Sequence, residues 1–268
     1  MRLVSWNVNS LRARHGRVLE WMDHHRPDVV LLQETKCRDD QLVATGFDDR
    51  VGALGYEVAH HGHDHWNGVA VLSRVGLGDV QFGFPGVNRP PYDEARVMAA
   101  TCDGVRVWSV YVPNGRSLDD PHYRFKLVWL ERLRGAVAAD LDRYPALVVA
   151  GDLNVAPDDR DIYDPVRWRG RTHASPPEGA ALAAIGDLGL VDVTRRHHPG
   201  DGVFTWWSYR PGQFDRNRGL RIDLALCSPP VADRVERVWI DREERARPRA
   251  SDHAPLVVDL GPTGDRRG

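Results

Sequence analysis

Leu147-Val148-Val149-Ala150-Gly151-Asp152-Leu153-Asn154 reads as a buried β-strand, a continuous apolar run with β-branched residues that passes through a glycine into a carboxylate and an amide. A charge stands at a strand end. Asp and Asn are also ordinary turn residues whose side chains bond their own backbone, so this stretch alone favours a turn. Its companions change the reading, because other predicted strands end in the same way. Gly151 is then read as the hinge by which the backbone leaves the sheet, with Asp152 and Asn154 beyond it.

Working outward, strands are predicted over Leu3 to Val8, Asp28 to Leu32, Tyr56 to Ala59 and Gly68 to Leu72, with a hairpin of Arg96 to Thr101 and Val105 to Val112 turning at Asp103-Gly104. Strand-like runs follow at Phe204 to Tyr209, Arg221 to Leu226, Val235 to Ile240 and Pro255 to Leu260. Three helices are predicted: Ser10 to about His25 with Ser10 as cap, Pro121 to Tyr144 on the spacing of Phe125, Leu130, Leu133, Val137 and Leu141, and Ala180 to Leu188. Residues 157–177 read as irregular. Hairpins with few helices favour mixed or antiparallel sheets packed by helices over a regular doubly wound order. No Gly-, Ser- or Pro-rich linker divides the chain, so residues 1–260 are expected to form a single α/β domain and 261–268 a tail.

The 268 residues are 42% hydrophobic and 28% charged, an ordinary globular balance, with a formal charge of −2. A polyanionic partner must therefore be held by a local patch or a metal rather than by a global basic field. Of the 36 basic residues only Lys36 and Lys126 are lysines, a skew read as compositional bias. Cys37, Cys102 and Cys227 are odd in number and form no C-x-x-C pair, which argues for reduced thiols in a cytoplasmic protein. Neither a secretory leader pattern nor an apolar run of membrane-spanning length is present.

At the strand ends stand Asn7, Asn9, Glu34, Tyr111, Asn114, Asp152, Asn154, Asp223, Asp252 and His253. Each alone reads as a cap, turn or surface residue. Together they offer oxygen ligands, a histidine and amide donors to one edge of a sheet, where binding sites gather. Converging carboxylates repel one another and any phosphate unless a divalent cation lies between them, and an oxygen set without cysteine favours Mg²⁺, with Mn²⁺ as substitute, over zinc.

Five segments carry a resemblance: Ser5-Trp6-Asn7-Val8-Asn9-Ser10-Leu11-Arg12, Leu32-Gln33-Glu34-Thr35-Lys36, Gly151-Asp152-Leu153-Asn154, Asn217-Arg218-Gly219-Leu220-Arg221-Ile222-Asp223 and Ser251-Asp252-His253-Ala254-Pro255. In their order and types they resemble the exonuclease III family of apurinic/apyrimidinic (AP) endonucleases, over residues 1 to about 260. The resemblance implies a four-layer α/β sandwich of two packed mixed β-sheets flanked by helices, the deoxyribonuclease I-like fold. It implies Mg²⁺-dependent cleavage of double-stranded DNA 5′ to abasic sites, with 3′–5′ exonuclease and 3′-phosphodiesterase activity and no obligate protein partner.

By the same resemblance Glu34 is the principal metal ligand, with Asn7, Asp252, Asp152, Asn154 and His253 completing the metal set. Asp152 orients and deprotonates the attacking water and Asn154 stabilises the transition state. Asp223 orients His253, which contacts the scissile phosphate, and Tyr111 bonds or polarises it. Which group handles each proton stays open. Asn114, Arg116, Trp206, Arg218, Leu220 and Ile222 are the candidate substrate contacts; for the arginines a plain surface role is an equal reading. His60, His61, His63 and His65 do not match the H-x-H-x-D-H zinc pattern and read as a loop. Two rivals remain, a small-substrate phosphodiesterase on the same fold and a damage-binding module without catalysis.

Overall fold

The computed structural model describes residues 1–63, 65–86 and 94–262; Asp64 of the histidine-rich segment and most of the predicted tail lie outside them. In chain order the elements are β1 (Arg2–Asn7), α1 (Leu11–His25), β2 (Val29–Gln33), α2 (Asp39–Ala44), α3 (Phe47–Ala53), β3 (Glu57–His61), β4 (Val69–Ser73) and β5 (Gly78–Phe82). Next come β6 (Val97–Cys102), β7 (Val105–Tyr111), α4 (Pro121–Leu141), β8 (Leu147–Asp152), α5 (Pro165–Trp168) and α6 (Pro176–Gly186). The chain closes with β9 (Val191–Asp192), α7 (Val193–His197), β10 (Asp223–Cys227), α8 (Pro229–Ala232), β11 (Val235–Ile240), α9 (Arg242–Ala246) and β12 (Leu256–Leu260).

The strands form two six-stranded sheets in the orders β11-β12-β1-β2-β4-β3 and β5-β6-β7-β8-β10-β9. Both are mixed: β1 runs parallel to β2 and antiparallel to β12, while β8 runs parallel to β7 and antiparallel to β10. Alternate residues of each strand point to opposite faces, and both faces are apolar. Leu3, Leu31, Val107, Val148, Ala150 and Val258 pack between the sheets. Val4, Val30 and Leu32 pack under α1 with Val18 and Met22, and Val149 and Leu224 pack under α4 with Leu130, Leu133 and Val137. Helices, sheet, sheet, helices make the four layers of an α/β sandwich.

The same alternation builds the site. On the inter-sheet face Leu3 is followed by Ser5 and Asn7, Leu31 by Gln33, Val107 by Ser109 and Tyr111, and Ala150 by Asp152. The apolar interface thus turns polar toward one end, where Ser109 accepts from Gln33 Nε2 at 3.1 Å and bonds Leu32 O at 3.2 Å across the sheets. Buried polar groups are tolerated because they are paired with one another.

Gly151 is not a hinge. It lies inside β8, paired with Val110 and Leu224. Its φ is 153°, and a Cβ there would stand 1.9 Å from Val110 O. The glycine is needed for the close approach of β7, and the chain leaves the sheet only after Asp152.

Other expectations also change. Phe204 to Tyr209 is no strand but a loop held by isolated bridges of Trp206 to Leu220 and His253, both outside the named strands. Accordingly its aromatics do not alternate: Phe204 and Trp207 are buried, Trp206 is partly buried and Tyr209 is exposed. Among the described residues there are, besides the three predicted helices, six short α-helices, α2, α3, α5, α7, α8 and α9. Among the described residues no helix is long and apolar enough to cross a membrane.

Candidate active site

Register brings the first group together. Asp152 on β8 is the partner of Tyr111 on β7 and of Asp223 on β10, so a hydroxyl and two carboxylates stand in one row across three adjacent strands, about 4.8 Å apart. The facing sheet supplies Asn7 at the end of β1, Glu34 just after β2, and His253 just before β12. One oxygen each of Glu34 and Asp152 and one ring nitrogen of His253 all lie within 4.8 Å of one another, and the two carboxylates are able to hold a metal ion there.

Asn7 Nδ2 donates to Glu34 Oε1 at 2.7 Å and to Asp152 Oδ2 at 2.9 Å, joining the two sheets across the site. Asn7 Oδ1 accepts from the Asn9 N–H. His253 Nδ1 lies 2.8 Å from Asp223 Oδ2, and its Nε2 is 3.7 Å from Asp152 Oδ2. Asp152 Oδ1 accepts from the Asn154 N–H at 2.9 Å, and Asn154 Nδ2 donates to Val112 O at 2.9 Å. Lys36 Nζ pairs with Glu34 Oε2 at 2.7 Å and Asn9 Oδ1 at 2.6 Å.

Electrostatics separate the acids. Burial first, then the charges of Asp223 and Glu34, push Asp152 above the ordinary carboxylate range. For His253 burial works downward, but Asp223 and Asp152 overcome it and hold the imidazole protonated well above its ordinary value. Burial and the Glu34 charge raise Tyr111, keeping it a neutral hydroxyl, while the Arg96 guanidinium lies 4.8 Å from its ring centre. Asp252 is depressed despite its burial, by His253 and by bonds from Trp206 and Asn9.

Asp252 falls outside the Glu34–Asp152–His253 group. Its Oδ1 accepts from Asn9 Nδ2 and its Oδ2 from Trp206 Nε1, each at 2.9 Å, so it anchors the neighbouring loop. Leu220 and Ile222 are buried with Ile162 beneath Trp206, an apolar wall rather than an open contact surface. Arg218 is exposed, as are Asn114 and Arg116 beside a cavity of about 650 Å³ that Trp168, Arg171 and His173 also line. His60 is a strand residue whose ring bonds Asp39 and Thr35. Asn9, Ser10, Glu34, Lys36, Asn154 and His173 have positive φ of 43°, 89°, 52°, 51°, 51° and 77°. Such backbone costs about 1–3 kcal/mol per residue and gathers where function over-determines geometry.

One layer behind lies a group that motif reading missed. Lys126 and Glu178 form a fully buried ion pair, and the Lys126 Nζ also donates to Asn154 O at 2.7 Å. His173 Nδ1 lies 2.6 Å from the same carbonyl. The scarcity of lysine was the one signal in the sequence: both lysines lie against the site.

A hard-oxygen metal set, a protonated histidine and a neutral tyrosine facing one point define a metal-dependent phosphodiester hydrolase on a four-layer α/β sandwich. The chain belongs to the Endonuclease/Exonuclease/phosphatase family, whose model matches residues 4–253. It is 32% identical to the exodeoxyribonuclease III of Haemophilus influenzae over 97% of this chain and 100% of that protein. Among solved structures, the 3′–5′ exonuclease NExo from Neisseria meningitidis superposes with a TM-score of 0.92 at 39% identity, over 97% of this chain and 100% of the other. A second solved structure, described as the 3′ phosphatase NExo from Neisseria bound to product DNA hairpin, gives the same TM-score of 0.92 at 39% identity, over 97% of this chain and 99% of the other. An AP endonuclease from Archaeoglobus fulgidus gives a TM-score of 0.90 at 34% identity, over 97% of this chain and 99% of its own.

Proposed function

We propose that this protein is a Mg²⁺-dependent DNA repair nuclease that hydrolyses the phosphodiester 5′ to abasic sites and trims 3′ ends of double-stranded DNA. The observation that carries the reading is the Tyr111–Asp152–Asp223 row facing Asn7, Glu34 and His253 across the two sheets. Residues 1–260 act as one catalytic domain with 261–268 as tail, without an obligate protein partner. Three buried, unpaired cysteines support a cytoplasmic setting.

The buried, carboxylate-rich donor set fits a hard cation: Glu34 and Asp152 would hold it, with Asn7, Asn154, His253 and Asp252 around them. When bound, the ion neutralises charge developing on the phosphate oxygens. Asp152 holds the attacking water in line and accepts its proton, a contribution of about 10²–10⁴ for a well-placed base. His253, oriented through Nδ1 by Asp223, donates from Nε2 to a non-bridging oxygen. Tyr111 and the Asn154 amide donate to the same phosphate, stabilising charge where it grows.

A second reading, a specialist in 3′ ends, is favoured by the 39% identity to a 3′–5′ exonuclease and 3′ phosphatase. Product analysis on an abasic duplex and on a matched 3′-recessed duplex separates the two. Cleavage of both supports the proposal, cleavage of the recessed end alone supports the specialist, and cleavage of neither overturns both.

A further inference from the structure

Lysine is so scarce in this chain, two among 36 basic residues, that a lysine retained at full burial calls for a reason. Lys126 lies on the inner face of α4, in the stripe of Trp129, Leu130, Leu133 and Val137. Its ammonium has three protons and three acceptors: Glu178 Oε1, Asn154 O at 2.7 Å and Asn114 O at 3.3 Å. A guanidinium spreads its donors over a fixed planar fork and does not reproduce a single nitrogen converging on these three oxygens.

The acceptors are themselves constrained. Glu178, at the start of α6, accepts through Oε1 from the His173 N–H at 3.0 Å, and through Oε2 from the Ser175 N–H at 3.1 Å and the Ser175 hydroxyl. Thr172 Oγ1 donates to Asn114 O at 2.7 Å. The two asparagines meet beyond the ammonium, Asn114 Nδ2 lying 3.4 Å from Asn154 Oδ1. Asn154, two residues beyond the end of β8, holds a left-handed backbone with φ 51°.

We propose that Lys126, paired with Glu178, is a positioning residue: it pins the Asn154 and Asn114 carbonyls from behind, setting both side-chain amides against the substrate phosphate without touching substrate itself. The kinetic part of this inference rests on the nuclease reading above. A misplacement of about 1 Å in such a group costs about 100-fold in rate, so losing the ammonium lowers kcat far more than it raises KM.

Lys126→Met alone strands a buried carboxylate and can fail to fold for that reason. The test therefore uses the double variant Lys126→Met/Glu178→Met, which removes both charges at similar volume, together with Lys126→Arg, which keeps the charge and changes its geometry. Expected are a double variant that stays folded with a lowered thermal midpoint, because the buried His173 and Ser175 N–H groups lose their acceptor, and for both variants a kcat on 3′-recessed duplex down by about 10- to 100-fold with KM within about threefold. The side-chain amide ¹⁵N signals of Asn114 and Asn154 should shift or broaden in both. A folded variant of either kind with kcat within about twofold of the native chain would overturn the inference. Unmoved amide signals would overturn it by themselves. If the native chain cuts no DNA at all, the nuclease reading has failed, and the amide signals still decide the positioning role.

Discussion

Asp223 shows what one residue does here. Fully buried, it bonds His253 through Oδ2 and leaves Oδ1 without a protein partner, so its worth lies in orienting and charging the imidazole. An amide in its place keeps the shape and removes the charge. Asp223→Asn is expected to fold normally and to lose about 100-fold or more in kcat, measured by steady-state kinetics beside a thermal melt; native kcat in a folded variant would show that His253 needs no carboxylate. The residue types of the site were legible in the sequence because strand ends and motif order carry them. The distinction between Glu34, in the metal-holding group, and Asp252, tied to Asn9 and Trp206, was not, because the partners of Asp252 come from 243 and 46 residues away.

At the level of elements, β8 illustrates how an apolar strand delivers a catalytic group. Its alternation buries Val148 and Ala150 between the sheets and therefore aims Asp152 there too. Gly151 permits the tight packing of β7 against it, so Gly151→Ala forces a methyl into Val110 O. The expected outcome is a loss of about 1–3 kcal/mol in denaturant unfolding, with kcat falling as Tyr111 moves relative to Asp152. An unchanged midpoint would contradict the close-packing account. Elements with a buried apolar pattern were readable from sequence. β5, exposed along most of its length, carries no such pattern, and α2 and α3 are too short to develop a periodicity. The aromatic loop misled for the opposite reason: its apolar residues are dense, but bridges and indole hydrogen bonds, not a ladder, hold them.

For the whole molecule, four layers close around a polar seam between the sheets, and the buried polar group one layer behind that seam makes stability depend on pH. His173 is buried, and desolvation first, then the nearby Lys126 charge, lower its pKa below the ordinary 6.5. The unfolded chain therefore binds a proton near pH 6.5 that the folded chain refuses, so stability falls as pH drops below that value, by up to about 1.4 kcal/mol per unit. Thermal melts at pH 7.5 and 5.0 should show the native chain losing more on acidification than His173→Gln; equal losses would remove His173 from the account. The sandwich as a whole was legible because motif order and strand patterning agree, whereas the Lys126–Glu178 clamp joins two helices 52 residues apart and leaves no local trace. The account's central claim, that Asp152 activates water at a metal-dependent phosphodiester site, is tested most directly by single-turnover cleavage of a 3′-recessed duplex, with DNA binding measured in the same samples. Asp152→Asn should bind DNA like the native chain yet cleave at least about 100-fold more slowly in Mg²⁺, and the native chain should not cleave in EDTA. Near-native turnover by Asp152→Asn, or full activity in EDTA, would contradict it.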